Sequence, residues 1–417
     1  MQFFSKAEVH PTSSVADPRA TALLALGTAV PEYGLTQVQI GEWMANAFSA
    51  QPAISRAVRT LHAQSGIEIR HSCCPEYLQP TESSRFAPSQ GANANPTTAE
   101  RMAIYTREAP VLGTAAASQA LERFAAAANV SVDAVTQSVT HLVVVSCTGF
   151  FAPGLDFVLA QRLGLASTLS RTLIGFMGCS AAFNGLRTAY QIVGSQPDAR
   201  VLVVCVELCS LHIQQNSSPA HLIAMSLFAD GAAACLVGKA PPHTTGIFQL
   251  DAFHTETQPE TASEMVWEIG DHGFVLHLSP KIPEHVASAA PATLHCLFPG
   301  QRPAFWAIHP GGRAIVDRLQ KIFELTPTQV AASRAVLRRY GNLSSATILF
   351  VLEDLQQRLA QGGQQPTAAP NQASHPAWDG SQILPQSKPC SGVAMAFGPG
   401  LVIEMARLSY VPAPARE

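Results

Sequence analysis

Two uninterrupted apolar runs, residues 141–147 and 201–206, restrict the fold of this chain more than any other feature. Both are rich in valine and carry no alternation of polar and apolar residues. Such runs are typical of central strands in a sheet that is covered on both faces. Residues 179–194 lie between them and repeat apolar side chains at helical spacing. A strand, a helix and a second strand in this order indicate a layered α/β fold.

The second half of the chain repeats this rhythm. Residues 305–308 have strand character, and helical patterns follow at 313–325 and 345–359. Two more strands are predicted on either side of the turn at residues 398–400. The repetition predicts an approximate internal duplication, with one half in residues 1–240 and the other in residues 241–417.

Residues 361–388 interrupt the second half. They are rich in Gln, Pro, Ala, Ser and Gly and have almost no apolar periodicity. This composition predicts a mobile surface insertion rather than a packed element. The two ends, residues 1–19 and 410–417, are predicted to be loosely held.

The charge content excludes several classes of partner. Only 13% of the residues are charged and the formal net charge is −3, so no basic excess indicates nucleic-acid or membrane binding. The amino terminus lacks the pattern of a signal peptide, and no apolar run reaches the roughly 20 residues of a membrane span. We therefore expect a cytoplasmic protein. Its nine cysteines lie mostly in apolar segments without zinc-site spacing, which predicts reduced thiols and no metal.

Three residues with catalytic potential stand in glycine-bearing turns: Cys179 after Gly178, His309 before two glycines, and Asn342 after Gly341. Cys179 is at a predicted helix start, where backbone N–H groups and the helix dipole stabilise a thiolate. A nearby His309 imidazolium would lower the thiol pKa further. The NH₂ group of Asn342 can donate to an oxyanion. An amide rather than a carboxylate in the third role favours enolate stabilisation, and so carbon–carbon bond formation from thioesters.

These turns, together with Phe397-Gly398-Pro399-Gly400, resemble the signature of the type III polyketide synthases, the chalcone and stilbene synthase superfamily. The resemblance implies a thiolase-type αβαβα fold, a homodimer, and condensation of malonyl-CoA onto an acyl-CoA starter. CoA thioesters would be the substrates, without a separate cofactor. Cys179 would carry the starter and the growing chain. His309 and Asn342 would promote decarboxylation of malonyl-CoA and stabilise the resulting enolate, before cyclisation to a pyrone or to a resorcinol- or phloroglucinol-type product.

The same resemblance implies a set of substrate-binding positions. Phe228 is expected to lie over the thiol as a gate, and the second gating Phe of the family falls at Leu276. Cys147, Cys209 and His212 stand where plant members commonly carry Thr, which suggests a bacterial-type enzyme. The remaining expected contacts are Ser344 in the pocket and, for the CoA phosphates, Arg56, Arg59 and Arg313.

The most specific expectation concerns the acyl group of the starter. Cys147, the small Ala152 in the loop that crosses the dimer in this family, and Leu276 each remove bulk where an aliphatic tail could lie. This predicts a medium- or long-chain acyl starter and an alkylpyrone or alkylresorcinol product. The alternative is a small-starter or malonyl-only enzyme, in which His212 and Ser344 leave a compact polar cavity.

Three other functions remain open at this point. A ketoacyl synthase III-like enzyme of fatty-acid synthesis has the same fold and the same Cys, His and Asn, but usually a Gln-Ala-Asn segment after the His. A papain-type hydrolase would have its Cys in a Cys-Trp context near the mature amino terminus, unlike Cys179-Ser180-Ala181. A non-catalytic homologue would not decarboxylate malonyl-CoA.

Overall fold

The computed structural model describes residues 20–75, 81, 84–86, 95–214, 216–241, 244–360 and 389–412. The expectations for residues 1–19, 361–388 and 413–417 lie outside these ranges. The strands are β1 (Thr21–Ala29), β2 (Tyr33–Thr36), β3 (Ile69–Ser72), β4 (His141–Ser146), β5 (Ser170–Gly175), β6 (Val201–Leu208), β7 (Asp230–Lys239), β8 (Ile247–Thr257), β9 (Met265–Gly270), β10 (Gly273–Leu278), β11 (Trp306–Ile308), β12 (Cys390–Gly398) and β13 (Val402–Val411). The helices are α1 (Gln37–Ala47), α2 (Pro52–Gln64), α3 (Thr98–Ala128), α4 (Val132–Ser138), α5 (Leu155–Arg162), α6 (Ala181–Ser195), α7 (Pro219–Leu227), α8 (Ile282–Leu297), α9 (Arg313–Ile322), α10 (Ala331–Tyr340) and α11 (Thr347–Ala360).

Within the described residues, nine strands form one sheet in the order β11-β12-β13-β8-β1-β7-β6-β4-β5. From the centre outwards, β1 pairs antiparallel with β7, β7 pairs antiparallel with β6, and β6 pairs parallel with β4. The strands β8, β13, β12 and β11 repeat the same three relations, and the two sets meet where β1 pairs antiparallel with β8. This repeat is the predicted internal duplication. The predicted boundary at residue 240 falls between β7 and β8 and stays a prediction.

The layers follow from alternation along the strands. Val144 and Val204 pack on the side of α3, whereas Val143 and Val203 belong to a cluster that contains the buried faces of α6 and α11. Helices α8 and α9 cover the outer side of the second-half strands. The two inner helices are thus enclosed by the two halves of the sheet, and outer helices cover both. This arrangement is the predicted thiolase-type αβαβα fold.

The apolar runs at residues 141–147 and 201–206 form β4 and β6. Apart from His141, every residue of both strands is buried. The prediction of a loose end from residue 410 is wrong for Tyr410 and Val411, which complete β13 and are buried. Tyr410 pairs with Cys390 of β12 on one side and Phe248 of β8 on the other, so three strands fix it.

All nine cysteines are free thiols in this structure. Among the described residues, no group of three or more His, Cys, Asp or Glu side chains is placed to hold a metal ion. In the same part of the chain, no helix combines the length and the apolar character needed to cross a membrane.

Candidate active site

Cys179, His309 and Asn342 line one cavity of about 350 Å³. This volume is at the lower end of the range usual for small-molecule sites. Each of the three residues is buried, with 8%, 1% and 1% of its surface exposed. The structure therefore brings the three predicted residues to one cavity, although their positions span both halves of the chain.

Cys179 occupies a 3₁₀ turn, Gly178–Ser180, that leads into α6. Gly178 has a φ of +68°, and a Cβ there would lie 2.1 Å from Cδ of Pro399. A Cβ on Gly398 would lie 2.3 Å from the Ser180 hydroxyl oxygen. Only glycine allows the nucleophile turn and the 398–400 turn to pack this closely. An equivalent 3₁₀ turn, Ser344–Ala346, leads into α11, so the duplicated halves present two matching helix starts to the site.

The backbone of Asn342 is fixed beside that of Phe228. The N–H of Ala229 donates to the Asn342 carbonyl oxygen at 2.9 Å, and the Asn342 N–H donates to the Leu227 carbonyl oxygen at 2.9 Å. Phe228 lines the cavity. The predicted gate and the predicted amide donor thus share one backbone bridge.

The side-chain amide of Asn342 has a defined orientation. Its Oδ1 accepts hydrogen bonds from the Ser344 N–H at 2.9 Å and the Thr347 hydroxyl at 3.3 Å. The Nδ2 group therefore points the other way, 3.2 Å from the Gly311 carbonyl oxygen and 4.0 Å from Sγ of Cys179. The amide presents N–H donors toward the nucleophile.

His309 follows β11, where its N–H donates to the Met395 carbonyl oxygen at 2.8 Å. Neither ring nitrogen has a hydrogen-bond partner in the described part of the chain, and both are buried. A Cβ on Gly311 would lie 3.4 Å from Nε2, so glycine at this position leaves the ring uncovered. The imidazole is available to a substrate rather than committed to the protein.

Burial controls the ionisation of Cys179 and His309. It raises the pKa of the Cys179 thiol to about 12, although hydrogen bonds from Ser344 and Asn342 act in the opposite direction. It lowers the pKa of His309 to about 3. The direction is opposite to the lowering predicted from a helix start and an imidazolium, because loss of solvation is the largest effect on the thiol and His309 is itself uncharged. Between these two pKa values, the free site holds a neutral thiol and a neutral imidazole.

His212 is a fixed part of the cavity wall. Burial lowers its pKa to about 3, so the ring is neutral. Nε2 lies 2.7 Å from the Thr148 carbonyl oxygen, and Nδ1 accepts the N–H of Phe274 at 2.9 Å. These partners assign the proton to Nε2 and occupy both nitrogens. The ring stacks on Phe274 with 4.2 Å between centroids, so His212 presents an aromatic surface rather than a free polar group.

Trp267 lines the cavity although its sequence context did not predict it. It lies on β9 directly opposite Leu276 of β10, and both side chains line the cavity. Its Nε1–H donates to the Cys147 carbonyl oxygen at 2.7 Å, and its ring meets the rings of His212 and Phe274 edge-on. The aromatic bulk that was expected to be lost at Leu276 is thus supplied by the neighbouring strand. The two-residue turn at 271–272 carried the signal, because its length sets the register of the hairpin.

The remaining predicted positions divide into two groups. Those that line the cavity are Phe228, Leu276, Cys147, Cys209, His212, Ser344 and Arg313. Arg56 and Arg59 lie on α2, are exposed, and do not line it. Arg59 pairs with Glu42 at 2.9 Å. Helix α2 reaches the cavity only through Leu61 and Gln64.

Two family models match this chain. Residues 9–241 match the amino-terminal domain of chalcone and stilbene synthases, and residues 249–373 match the carboxyl-terminal domain. A type III polyketide synthase 21 from Oryza sativa subsp. japonica is 30% identical over 392 residues, which cover 92% of each chain. A probable polyketide synthase 1 from Dictyostelium discoideum is 27% identical over 393 residues. Those residues are 92% of this chain but only 11% of the Dictyostelium protein.

Two solved structures of type III polyketide synthases or related enzymes are also similar to this chain. The carboxyl-terminal type III polyketide synthase domain of Steely1, a type I/III hybrid from Dictyostelium, superposes with a TM-score of 0.79 at 27% identity. The match covers 94% of this chain and 99% of that one. PKS-I from the brown alga Ectocarpus siliculosus gives a TM-score of 0.79 at 27% identity, covering 94% and 98%.

Proposed function

This chain belongs to the chalcone and stilbene synthase family, and we propose that it extends an acyl-CoA starter, bound as a thioester on Cys179, with units from malonyl-CoA. The product would be a cyclised pyrone or a resorcinol- or phloroglucinol-type polyketide. The observation that carries the proposal is the single cavity lined by Cys179, His309 and Asn342. No observation favours the ketoacyl synthase alternative.

In the loading step, the sulfur of Cys179 attacks the acyl-CoA carbonyl and the CoA thiolate leaves. The thiol is neutral and buried, so its proton has to be removed as the carbon–sulfur bond forms. Neither ring nitrogen of His309 has a hydrogen-bond partner among the residues that the structure describes, so the ring is free to accept that proton.

In the extension step, malonyl-CoA loses CO₂ and becomes an enolate whose carbon attacks the Cys179 thioester. Negative charge develops on the thioester oxygen of the malonyl group. The Nδ2 group of Asn342 is oriented as a donor toward this region, and an Nε2–H tautomer of His309 would supply a second donor. The two residues would therefore lower the barrier to decarboxylation.

CoA phosphates require cations at the cavity entrance. Arg313 lines the cavity and half of its side chain is exposed. Its ion pair with Asp317 is long, at 3.8 Å, and exposed pairs of this kind contribute little. We place Arg313 first among the candidates for CoA binding. Arg56 and Arg59 stay predictions for the outer end of the CoA.

The proposed starter is a medium- or long-chain aliphatic acyl group, giving an alkylpyrone or alkylresorcinol. Much of the cavity lining is aliphatic or aromatic, which supports an apolar starter. Trp267 opposes a very long tail, because it fills space that Leu276 would have left open. The bacterial-type assignment, which rested on Cys147, Cys209 and His212, stays a prediction, as does the cytoplasmic location.

We expect Trp267→Ala to raise kcat/KM for lauroyl-CoA relative to acetyl-CoA by about tenfold. Two more methylenes buried in the space of the indole would contribute about 1.6 kcal/mol, at ~0.8 each, which corresponds to at least that factor. The measurement is a series of acetyl-, hexanoyl- and lauroyl-CoA with both proteins. Ile269→Ala, on the exposed part of the same strand, is the matched control. An unchanged preference in Trp267→Ala would exclude Trp267 as a limit on the starter.

We also propose a homodimer. Strand β5 is the edge of the large sheet, and most of its residues are exposed. Large apolar side chains near this edge are exposed as well, namely Phe150, Phe157, Leu173 and Met177. An edge strand with apolar neighbours is a surface that a second copy can cover. A sedimentation mass of one chain at micromolar concentration would contradict this proposal.

The overall function is tested by mass spectrometry of the products formed from malonyl-CoA and acyl-CoA starters of graded length. Products with masses of starter plus two or more decarboxylated malonyl units are expected. Absence of both CoA release and CO₂ release with every starter would contradict a synthase. A steady decline of kcat/KM from acetyl- to lauroyl-CoA would contradict the long-chain starter alone.

A further inference from the structure

A carboxyl group without a cation lies behind the cavity. Glu207 of β6 is completely buried and forms no ion pair with any residue that the structure describes. Its Oε2 accepts hydrogen bonds from the Cys147 N–H at 3.0 Å and the Thr148 hydroxyl at 2.9 Å. Its Oε1 accepts a hydrogen bond from the Ser345 hydroxyl. Burying a carboxylate without a counter-ion is costly, so this group calls for an explanation.

The partners of Glu207 connect it to two loops of the site, the turn that carries Cys179 and the segment that carries Asn342. Sγ of Cys147 accepts the N–H of Gly178 at 3.1 Å, and Gly178 directly precedes Cys179. Ser345 lies in the segment that carries Asn342. The side chain of Glu207 therefore links the loop that supports the nucleophile to the loop that supports the amide donor.

We propose that Glu207 is a positioning residue that holds these two loops together, and that its negative charge, when present, opposes negative charge on Cys179. The inference rests on the proposed function through the role of Cys179 as the nucleophile. Because Oε2 already accepts two donors, the acid proton belongs on Oε1. The protonated Oε1 then donates to the Ser345 hydroxyl oxygen, the reverse of the bond that the Ser345 hydroxyl donates to the charged carboxylate. In this form Glu207 keeps all its contacts and does not repel the thiolate that leaves when the acyl chain is transferred to the enolate.

The groups around Glu207 determine how its ionisation changes the pKa of the Cys179 thiol. The titratable groups whose charge couples to that of Glu207 are the thiols of Cys147, Cys179, Cys205 and Cys209 and the phenol of Tyr105. Asp230 on the adjacent strand pairs with Leu208, so its side chain lies on the opposite face of the sheet from that of Glu207. Burial raises the pKa of Glu207 to about 7, against hydrogen bonds from Ser345, Cys147 and Thr148 that lower it. A charged Glu207 raises the pKa of the Cys179 thiol. Below about pH 7 the carboxyl is neutral and does not affect ionisation of the Cys179 thiol. Above about pH 7 it is charged and opposes that ionisation.

The test is the rate of Cys179 alkylation by iodoacetamide as a function of pH, read at Cys179 alone by peptide mass spectrometry. Glu207→Gln keeps the size of the side chain and cannot ionise. We expect equal rates in the two proteins below about pH 6, and a three- to tenfold faster rate in Glu207→Gln above about pH 8, which corresponds to about half to one pKa unit at Cys179. Alkylation needs no synthase activity, so failure of this test is distinct from failure of the proposed function.

Two further measurements keep the inference open to refutation. Asp230→Asn is the matched control, because Asp230 is a buried carboxyl that is hydrogen-bonded to Cys73 and Ser210 rather than to either loop of the site. It should leave the pH dependence at Cys179 unchanged. Ser345→Ala removes a donor to Glu207 and should move the break in the wild-type profile to higher pH. A constant ratio between Glu207→Gln and wild type at all pH values would leave only a structural role and overturn the proposal. So would a wild-type profile without a break in slope between about pH 6 and 9, whether or not the variants fold.

Discussion

Cys179→Ala is expected to retain no labelled acyl group after incubation with a radiolabelled acyl-CoA, and to form no product. Cys179 is the thiol that combines a cavity position, a helix start and the nearby amide of Asn342. No other side chain would then hold the starter as a thioester. The measurement is the label that remains on acid-denatured protein, followed by mapping of the labelled peptide.

Cys147→Ala and Cys209→Ala are the matched controls, since both thiols line the same cavity. Burial raises the pKa of each well above the ordinary value. The sulfur of Cys147 is also occupied as the acceptor of the Gly178 N–H. Both controls should load label at the Cys179 peptide. Label retained by Cys179→Ala would show that another thiol is the nucleophile.

The positions of the three central residues could be predicted from the sequence because their constraints are local. Gly178 and Gly341 adopt positive φ values, so glycine marks these turns in the sequence itself. The strands β4 and β6 were predictable for a similar reason: burial on both faces forces apolar residues at successive positions. The duplication followed from the order of such elements.

The cavity wall could not be predicted, because it depends on register and on assembled burial. Trp267 reaches the position left by Leu276 only through the pairing of β9 with β10. Nothing in the sequence around His212 indicates that both ring nitrogens would bind backbone groups. The thiol pKa was predicted in the wrong direction, because a helix start is a local feature whereas desolvation is a property of the whole site.

Asn342→Ala is expected to lower the rate of CO₂ release from malonyl-CoA by about 10²–10³, the usual cost of removing one donor to an oxyanion. Its amide is held by the Ser344 N–H and the Thr347 hydroxyl, so its NH₂ group is already aimed when the enolate forms. Loading of Cys179 should remain near normal, since attack on the starter carbonyl requires the thiol and a base. Asn342→Asp should be no better, because a carboxylate at that position faces the Gly311 carbonyl oxygen and the enolate charge.

The assay separates the two half-reactions of each variant: labelled CO₂ from malonyl-CoA without starter, and acyl label on Cys179 without malonyl-CoA. Asn184→Ala is the matched control, an asparagine of α6 that does not line the cavity, and should leave both rates unchanged. His309→Gln should slow both steps, because the imidazole is proposed as base in loading and as donor in decarboxylation. Near-normal CO₂ release combined with failed loading in Asn342→Ala would mean that the amide serves the nucleophile instead. The 4.0 Å separation of Nδ2 from Sγ would then mark its main contact, and enolate stabilisation would fall to His309.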